Sequence, residues 1–240
     1  MLGVEETLTE LINLANSIQD PDLRNKVMEF LRDPPSDLEK AALPIDVCPA
    51  GAYHHHSYVG GLVQHTICVS RLALSICDIV NNLYGGEANR DLVLAGAILH
   101  DVMKVYCYEE NDAGGFQTSE YGGLIDHLTL MVAELHKRGY NDELIHIVAS
   151  HHGEVGPTKP KTLEALIVSV ADQADSDLNG RLLRAAEYLL RRSGETRPQI
   201  KSSLEAMRII QAKRSEGWDG VQKLLGQLKS PLTQGDHDSS

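Results

Sequence analysis

The eight-residue apolar run Leu92–Leu99 leads directly into the pair His100-Asp101. A run of that kind is buried, and it carries an ionisable doublet into the interior with it. The pattern repeats later, where the apolar stretch 166–171 runs into Asp172. Burying an ionised carboxylate is costly unless it is paired or bound to a metal. Any fold for this chain must therefore bring these two acids to partners that neutralise them.

The surrounding pattern is helical nearly throughout. Residues 4–19 are amphipathic. Asp20-Pro21 reads as an N-cap followed by proline at the first helical position, opening a second helix to about Arg32. Asp33-Pro34-Pro35 stops it, and a short helix over 36–42 leads into an irregular stretch, 43–56. Further helices are expected over 59–83, 90–107, 122–138, 142–152 and 161–177. Asn111 to Gly115 reads as a turn that closes a small hairpin with Phe116. No β-α-β alternation appears, so the expected class is all-α. The expected domain plan is N-terminal helices packing on the core (1–43), a core (44–180), a basic helical extension (181–230) and a disordered tail (231–240).

Composition narrows the class further. At 240 residues, 42% hydrophobic and 23% charged, the chain is not disordered throughout. No strictly apolar run approaches the roughly 20 residues of a spanning helix, and the acidic N-terminus lacks a basic n-region. Four cysteines without C-x-x-C spacing suit reduced thiols. A cytoplasmic protein with no membrane partner is the expectation. The net charge of −12 disfavours polyanions unless a local basic patch compensates. Residues 181–230 hold 11 Lys and Arg against 5 Asp and Glu. That segment reads either as solvated helices, packed on the core or on a second copy in a homodimer, or as a track for phosphate backbones.

Ten of the eleven histidines lie between His54 and His152. His65 sits in GGLVQHT, His100 and Asp101 in AGAILHDVMK, His127 in GGLIDHLTL, His151 and His152 in VASHHGE, and Asp172 in SVADQAD. Taken singly, each has an ordinary reading as a core, surface or capping residue. As an ordered set on separate helices they point to a metal site. Imidazole with carboxylate suits manganese, iron, cobalt, nickel or zinc rather than calcium or magnesium. His136 and His146 fall outside the pattern as ordinary helix residues, and His237 lies in the tail. H-E-x-x-H, P-loop and G-x-S-x-G sequences do not occur.

This order of residues resembles the HD superfamily of metal-dependent phosphohydrolases, over about residues 44–178. The segments HHSYVGGLVQHT, SHHGE and KTLEALIVSVADQAD are similar to the HD core of bacterial 3′–5′ exoribonucleases. Those enzymes carry an N-terminal OB-type domain, for which no room is expected before residue 44. The resemblance implies a helical HD bundle with a C-terminal helical extension. It also implies one or two divalent transition-metal ions, manganese first among them. His65, His100, Asp101 and Asp172 would hold one ion. Asp101 would bridge to a second, held by His127 and His151, with His152 either a ligand or a phosphate contact.

Asp101 and Lys104 are the expected catalytic residues, the lysine lying one helical turn on, on the same face. His55 and His56 are expected either at the substrate cleft or in an exposed loop, and Tyr58 either against a base or in the core. The usual glycine after the doublet is replaced by Met103, which either narrows the pocket or packs on a neighbouring helix. The expected activity is metal-dependent hydrolysis of a phosphodiester. Single-stranded RNA trimmed from its 3′ end leads, a small nucleotide is the alternative substrate, and a non-catalytic nucleotide sensor is the alternative class.

Overall fold

The computed structural model of the chain describes residues 4–32, 43–196 and 198–229. The expected stop at Asp33-Pro34-Pro35, the short helix 36–42, the tail 231–240 and His237 lie outside them. The chain divides into two compact units, Met1–Gly180 and Arg181–Ser240.

In the first unit, α1 (Val4–Asn16) and α2 (Pro21–Arg32) precede the long α3 (Gly61–Leu83) and the short α4 (Arg90–Leu99). A 3₁₀ turn (Val102–Tyr106) follows, then β1 (Tyr108–Glu110) and β2 (Phe116–Thr118), α5 (Glu120–Leu124), α6 (His127–Lys137), α7 (Asp142–Ala149) and a 3₁₀ turn (Gly153–Val155). α8 (Leu163–Arg192) begins in this unit and runs on into the second, which also holds α9 (Ser203–Lys229), kinked at Gly217. The fold is all-α apart from the two short strands, which pair antiparallel with Glu110 opposite Phe116. Asn111 closes that hairpin by accepting from the amides of Ala113 and Gly115.

α4 is central because its sequence leaves it no other place. Every residue from Leu92 to Leu99 is buried. The Asn89 side chain caps its start by accepting from the amides of Asp91 and Leu92. Asp91 in turn accepts from the backbone amides of Gln19 and Asp20, which ties the α1–α2 connection to α4. Leu11, Ile18, Val27 and Phe30 join the same core cluster as α3, α4, α6 and α7. Gly96 permits the close crossing of α4 and α7, since a Cβ there would lie 2.4 Å from Cγ2 of Ile147.

By length and composition α3 is apolar enough to cross a bilayer, with a mean hydropathy of 1.3. In this fold it is a core helix that carries the buried His65, so the absence of a single long apolar run did not reveal its character.

Two expected helices are broken where the acids sit. The helix expected over 90–107 ends at Leu99, and Asp101 adopts φ −116°, ψ 0° at the head of the 3₁₀ turn. A 3₁₀ turn eclipses residues i and i+3, which sets Lys104 over Asp101. The helix expected over 122–138 splits at the extended Ile125, and Asp126 caps α6 by accepting from the Thr129 amide at 2.7 Å. That cap makes His127 the first residue of a helix. The helix expected to end at 177 continues to Arg192.

Met103 is 1% exposed and belongs to the core cluster, so it packs. Met103→Ala is expected to lower unfolding stability by about 2–5 kcal/mol, read as a lower urea midpoint at unchanged slope. An unchanged midpoint would show that the side chain fills no space that matters.

Candidate metal centre

Six elements deliver the site. α3 brings His65, the end of α4 brings His100, the 3₁₀ turn brings Asp101 and Lys104, α6 begins with His127, the turn after α7 brings His151 and His152, and α8 brings Asp172. Their polar atoms converge on Asp101. Oδ2 of Asp101 lies 3.3 Å from Nε2 of His65, 3.2 Å from Nε2 of His100 and 2.6 Å from Nζ of Lys104. Oδ1 lies 3.2 Å from Nε2 of His127 and 3.6 Å from Nε2 of His151. Oδ1 of Asp172 lies 3.2 Å from Nε2 of His65 and 3.8 Å from Nε2 of His100. The structure thus brings together all seven metal-ligand candidates and Lys104.

The ring orientations are set from behind. Nδ1 of His100 donates to the Ala97 carbonyl at 2.8 Å, and Nδ1 of His151 to the Val148 carbonyl at 2.7 Å. Nδ1 of His65 donates to Oδ2 of Asp175 at 2.7 Å. In a neutral ring a proton on Nδ1 leaves a lone pair on Nε2. With all three rings neutral, three lone pairs would therefore point inward at one another and at two carboxylates. Nε2 of His65 and Nε2 of His100 are 3.2 Å apart, a pairing that two unprotonated nitrogens cannot hold on their own.

The charge state of the site says the same. Burial pushes Asp101 toward the neutral acid, but His100 and Lys104 outweigh it and hold its pKa well below the usual carboxylate range. Burial likewise opposes protonation of His65, yet Asp101, Asp172 and Asp175 raise its pKa well above the ordinary value, so a proton serves these acids at the nitrogen where a metal would bind. Burial keeps His151 neutral, with help from His100, and its pKa falls well below normal. The carboxylates call for a cation, which a divalent ion would supply.

The donor set fits such an ion. Oδ1 of Asp101, Nε2 of His127 and Nε2 of His151 are buried and near one another but make no well-directed hydrogen bond, a costly state for polar atoms unless something else binds them. Two groups of donor atoms each lie within 4.8 Å of one another: His65, His100 and Asp172 in one, and His127, His151 and His152 in the other. Asp101 stands between the groups, one oxygen toward each. Imidazole and carboxylate donors suit first-row divalent metals. If Mn²⁺ binds only the folded protein, a concentration near 100 times Kd adds about 2.7 kcal/mol of stability. For a chain of this size that is a rise in Tm of about 5–10 °C, reversed by a chelator in differential scanning fluorimetry. A Tm indifferent to both additions would contradict a metal site in the folded state.

The two loop histidines separate. His55 is half-buried, with its ring centroid 5.0 Å from that of His65, Nδ1 buried without a partner and Nε2 3.5 Å from Oγ of Ser176. Burial depresses its pKa to about 3, so it faces the site neutral. His56, expected as a substrate contact, is 1% exposed and holds Tyr58 and Asp175 with its two ring nitrogens at 2.7 and 2.9 Å. With both nitrogens engaged it offers nothing to a ligand, and it lies behind His65. Tyr58 is buried in the same place. Asp175 was missed from sequence, although it sits three residues after Asp172 on one helix face.

The family model described as the HD domain matches residues 62–177. A second model, of a family described as a candidate helicase, matches residues 5–106, a stretch without a G-x-x-x-x-G-K-[ST] loop. The dihydroneopterin 2′,3′-cyclic phosphate phosphodiesterase of Methanocaldococcus jannaschii is 41% identical over 213 residues, covering 88% of this chain and 85% of that enzyme. The 3′–5′ exoribonuclease YhaM of Bacillus subtilis is 33% identical over 145 residues, which is 55% of this chain and 43% of that enzyme. YhaM of Listeria monocytogenes is 37% identical over 147 residues, with the same shares. Among solved structures, the HD domain of the L. monocytogenes phosphodiesterase PgpH aligns at 18% identity and a TM-score of 0.34, covering 70% of this chain and 92% of that one. That alignment adds nothing to the fold described above.

Proposed function

This chain belongs to the HD-domain family of metal-dependent phosphodiesterases, and from that premise we propose that its substrate is a 2′,3′-cyclic phosphate on a small pterin-like molecule. The observation that carries the choice of substrate is the reach of the similarity. The relationship to the cyclic phosphate phosphodiesterase runs through 88% of this chain and 85% of that enzyme. The relationship to the exoribonucleases takes in only 43% of their length. A net charge of −12 also suits a small substrate better than a long polyanion.

In this reading His65, His100, Asp101 and Asp172 would hold one divalent ion, and Asp101, His127 and His151 a second. Manganese is our first choice, with iron, cobalt, nickel and zinc suited by the same donors. Metal bound there supplies an acidified water and positive charge beside the phosphate oxygens. Lys104 is 7% exposed and paired with Asp101. Burial would strip its proton, but Asp101 raises its pKa above the ordinary lysine value, so it stays charged. It neutralises charge developing on phosphate, a role worth most in a dry site. His55 stays neutral and borders the substrate beside Ser176, whose hydroxyl reaches Asp172, and His152 is available either to metal or to phosphate.

The net reaction adds one water. Its oxygen bonds to phosphorus, one ring P–O bond breaks, and the freed alcohol oxygen takes the proton the water gives up. The product is a phosphomonoester. RNA trimming is the second reading, favoured by the 33–37% identity to the exoribonucleases within the core.

The test is a comparison of kcat/KM for dihydroneopterin 2′,3′-cyclic phosphate and for a 5′-labelled single-stranded RNA under the same Mn²⁺. Preference for the cyclic phosphate by about 100-fold or more is expected, two powers of ten being about 2.7 kcal/mol of transition-state binding. A one-nucleotide ladder from RNA, with the cyclic phosphate untouched, would overturn the substrate assignment.

A further inference from the structure

The loop 51–56 holds a backbone outlier. His56 has φ 43°, and among the described residues it alone has positive φ without being glycine. A histidine in that region is strained unless its surroundings fix it. They do. The His56 amide donates to Oδ1 of Asn179 at 2.6 Å, Nδ1 meets the Tyr58 hydroxyl at 2.7 Å, and Nε2 donates to Oδ2 of Asp175 at 2.9 Å. The loop is pressed onto the start of α3, where a Cβ on Gly61 would lie 1.9 Å from the His56 carbonyl oxygen.

We infer that Asp175 and His56 are positioning residues for the metal centre: His56, held in a strained backbone conformation, fixes the Asp175 carboxylate, which holds Nδ1 of His65 and so turns Nε2 of His65 toward Asp101 and Asp172. The same oxygen, Oδ2 of Asp175, accepts from both Nε2 of His56 and Nδ1 of His65. Asp175 and His56 are themselves buried, at 5% and 1% exposure. Their donor atoms lie close enough to form a metal cluster with His65, but hydrogen bonds already engage them, and this arrangement leaves Nε2 of His65 free to face Asp101 and Asp172. Residues behind a metal-binding imidazole fix its tautomer and ring orientation and raise its basicity. The two residues therefore act through His65 and touch neither ion nor substrate.

The inference rests on the reading of His65 as a metal ligand, so His65→Ala serves as the control. The experiment is Mn²⁺ titration by electron paramagnetic resonance of wild type, Asp175→Asn, Asp175→Ala, His56→Ala and His65→Ala, each also checked for folding by circular dichroism. Asp175→Asn, with its carbonyl oxygen in the place of Oδ2, keeps an acceptor for Nδ1 of His65 and Nε2 of His56 but loses the negative charge. It is expected to weaken Mn²⁺ binding by about 10-fold, and Asp175→Ala by about 100-fold, the span seen for partners of metal ligands. Saturating Mn²⁺ should bring kcat of Asp175→Asn back to within a few-fold of wild type, because the ligands themselves are intact.

Folded Asp175 variants with wild-type Mn²⁺ affinity, beside a His65→Ala that loses it, would overturn the positioning role alone. Wild-type affinity in His65→Ala would overturn the ligand assignment beneath it. If Asp175→Ala fails to fold, the asparagine variant and His56→Ala decide the question by the same criterion.

Discussion

Asp101→Asn is expected to lower turnover of the cyclic phosphate by about 10³-fold or more, at or beyond the upper end for removing one electrostatic stabiliser from a reacting centre. The effect should be large because Asp101 is shared. One oxygen faces His65, His100 and Lys104, the other His127 and His151. An amide of the same shape cannot offer two anionic oxygens to two ions. Metal analysis of the variant should show both ions weakened, whereas His127→Ala should lose only the second. Both substitutions remove the counter-charge of the buried Lys104, a loss of about 3–5 kcal/mol in stability, but asparagine keeps a carbonyl acceptor for the ammonium where alanine keeps none, so alanine would confuse folding with catalysis more. Wild-type metal content and turnover in Asp101→Asn would refute the bridging role.

Lys104→Met gives the second large effect. With the ammonium gone, charge developing on the phosphate loses a buried counterion. We expect kcat to fall by about 10²–10³-fold with KM changed by far less. Without metal the variant should also lose about 3–5 kcal/mol of stability, because Asp101 keeps a buried charge with one partner fewer. Metal should then stabilise the variant more than wild type, since the ion takes over part of what Lys104 did. Steady-state kinetics beside thermal unfolding with and without Mn²⁺ measures both effects. Unchanged kcat would reduce Lys104 to a structural partner of Asp101.

What could be read from the chain follows from what makes a residue conspicuous. His100, Asp101 and Asp172 close apolar runs, so their burial and their need for a cation were legible before any fold was known. His65, His127 and His151 followed from helical spacing and from the order of the set. The breaks that aim these residues were not legible. Asp101 adopts an irregular conformation inside an apolar helical pattern, and only the 3₁₀ turn reveals why Lys104 stands over it. Asp126 is an ordinary N-cap residue, yet its capping bond sits inside a stretch whose periodicity reads as one helix.

The loop residues were hardest. His55 and His56 are adjacent and chemically identical, and no period exists in the stretch 43–56 to tell them apart. Backbone strain at His56 and the tight approach to Gly61 send one ring behind His65 and leave the other beside it. Asp175 did leave a trace, its spacing from Asp172. An acid three residues after a ligand, on the same helix face, is a candidate to brace a neighbouring imidazole.

The account turns on one claim, that the cluster around Asp101 is a metal centre that opens a phosphodiester. The most direct measurement follows bound Mn²⁺ and ring opening of dihydroneopterin 2′,3′-cyclic phosphate in one titration of chelator-stripped protein, with ³¹P resonance reporting the phosphomonoester. Turnover should be absent at the start and rise with occupancy, reaching its plateau as the site fills. Full activity in the stripped protein, or a filled site that leaves both the cyclic phosphate and RNA intact, would contradict it.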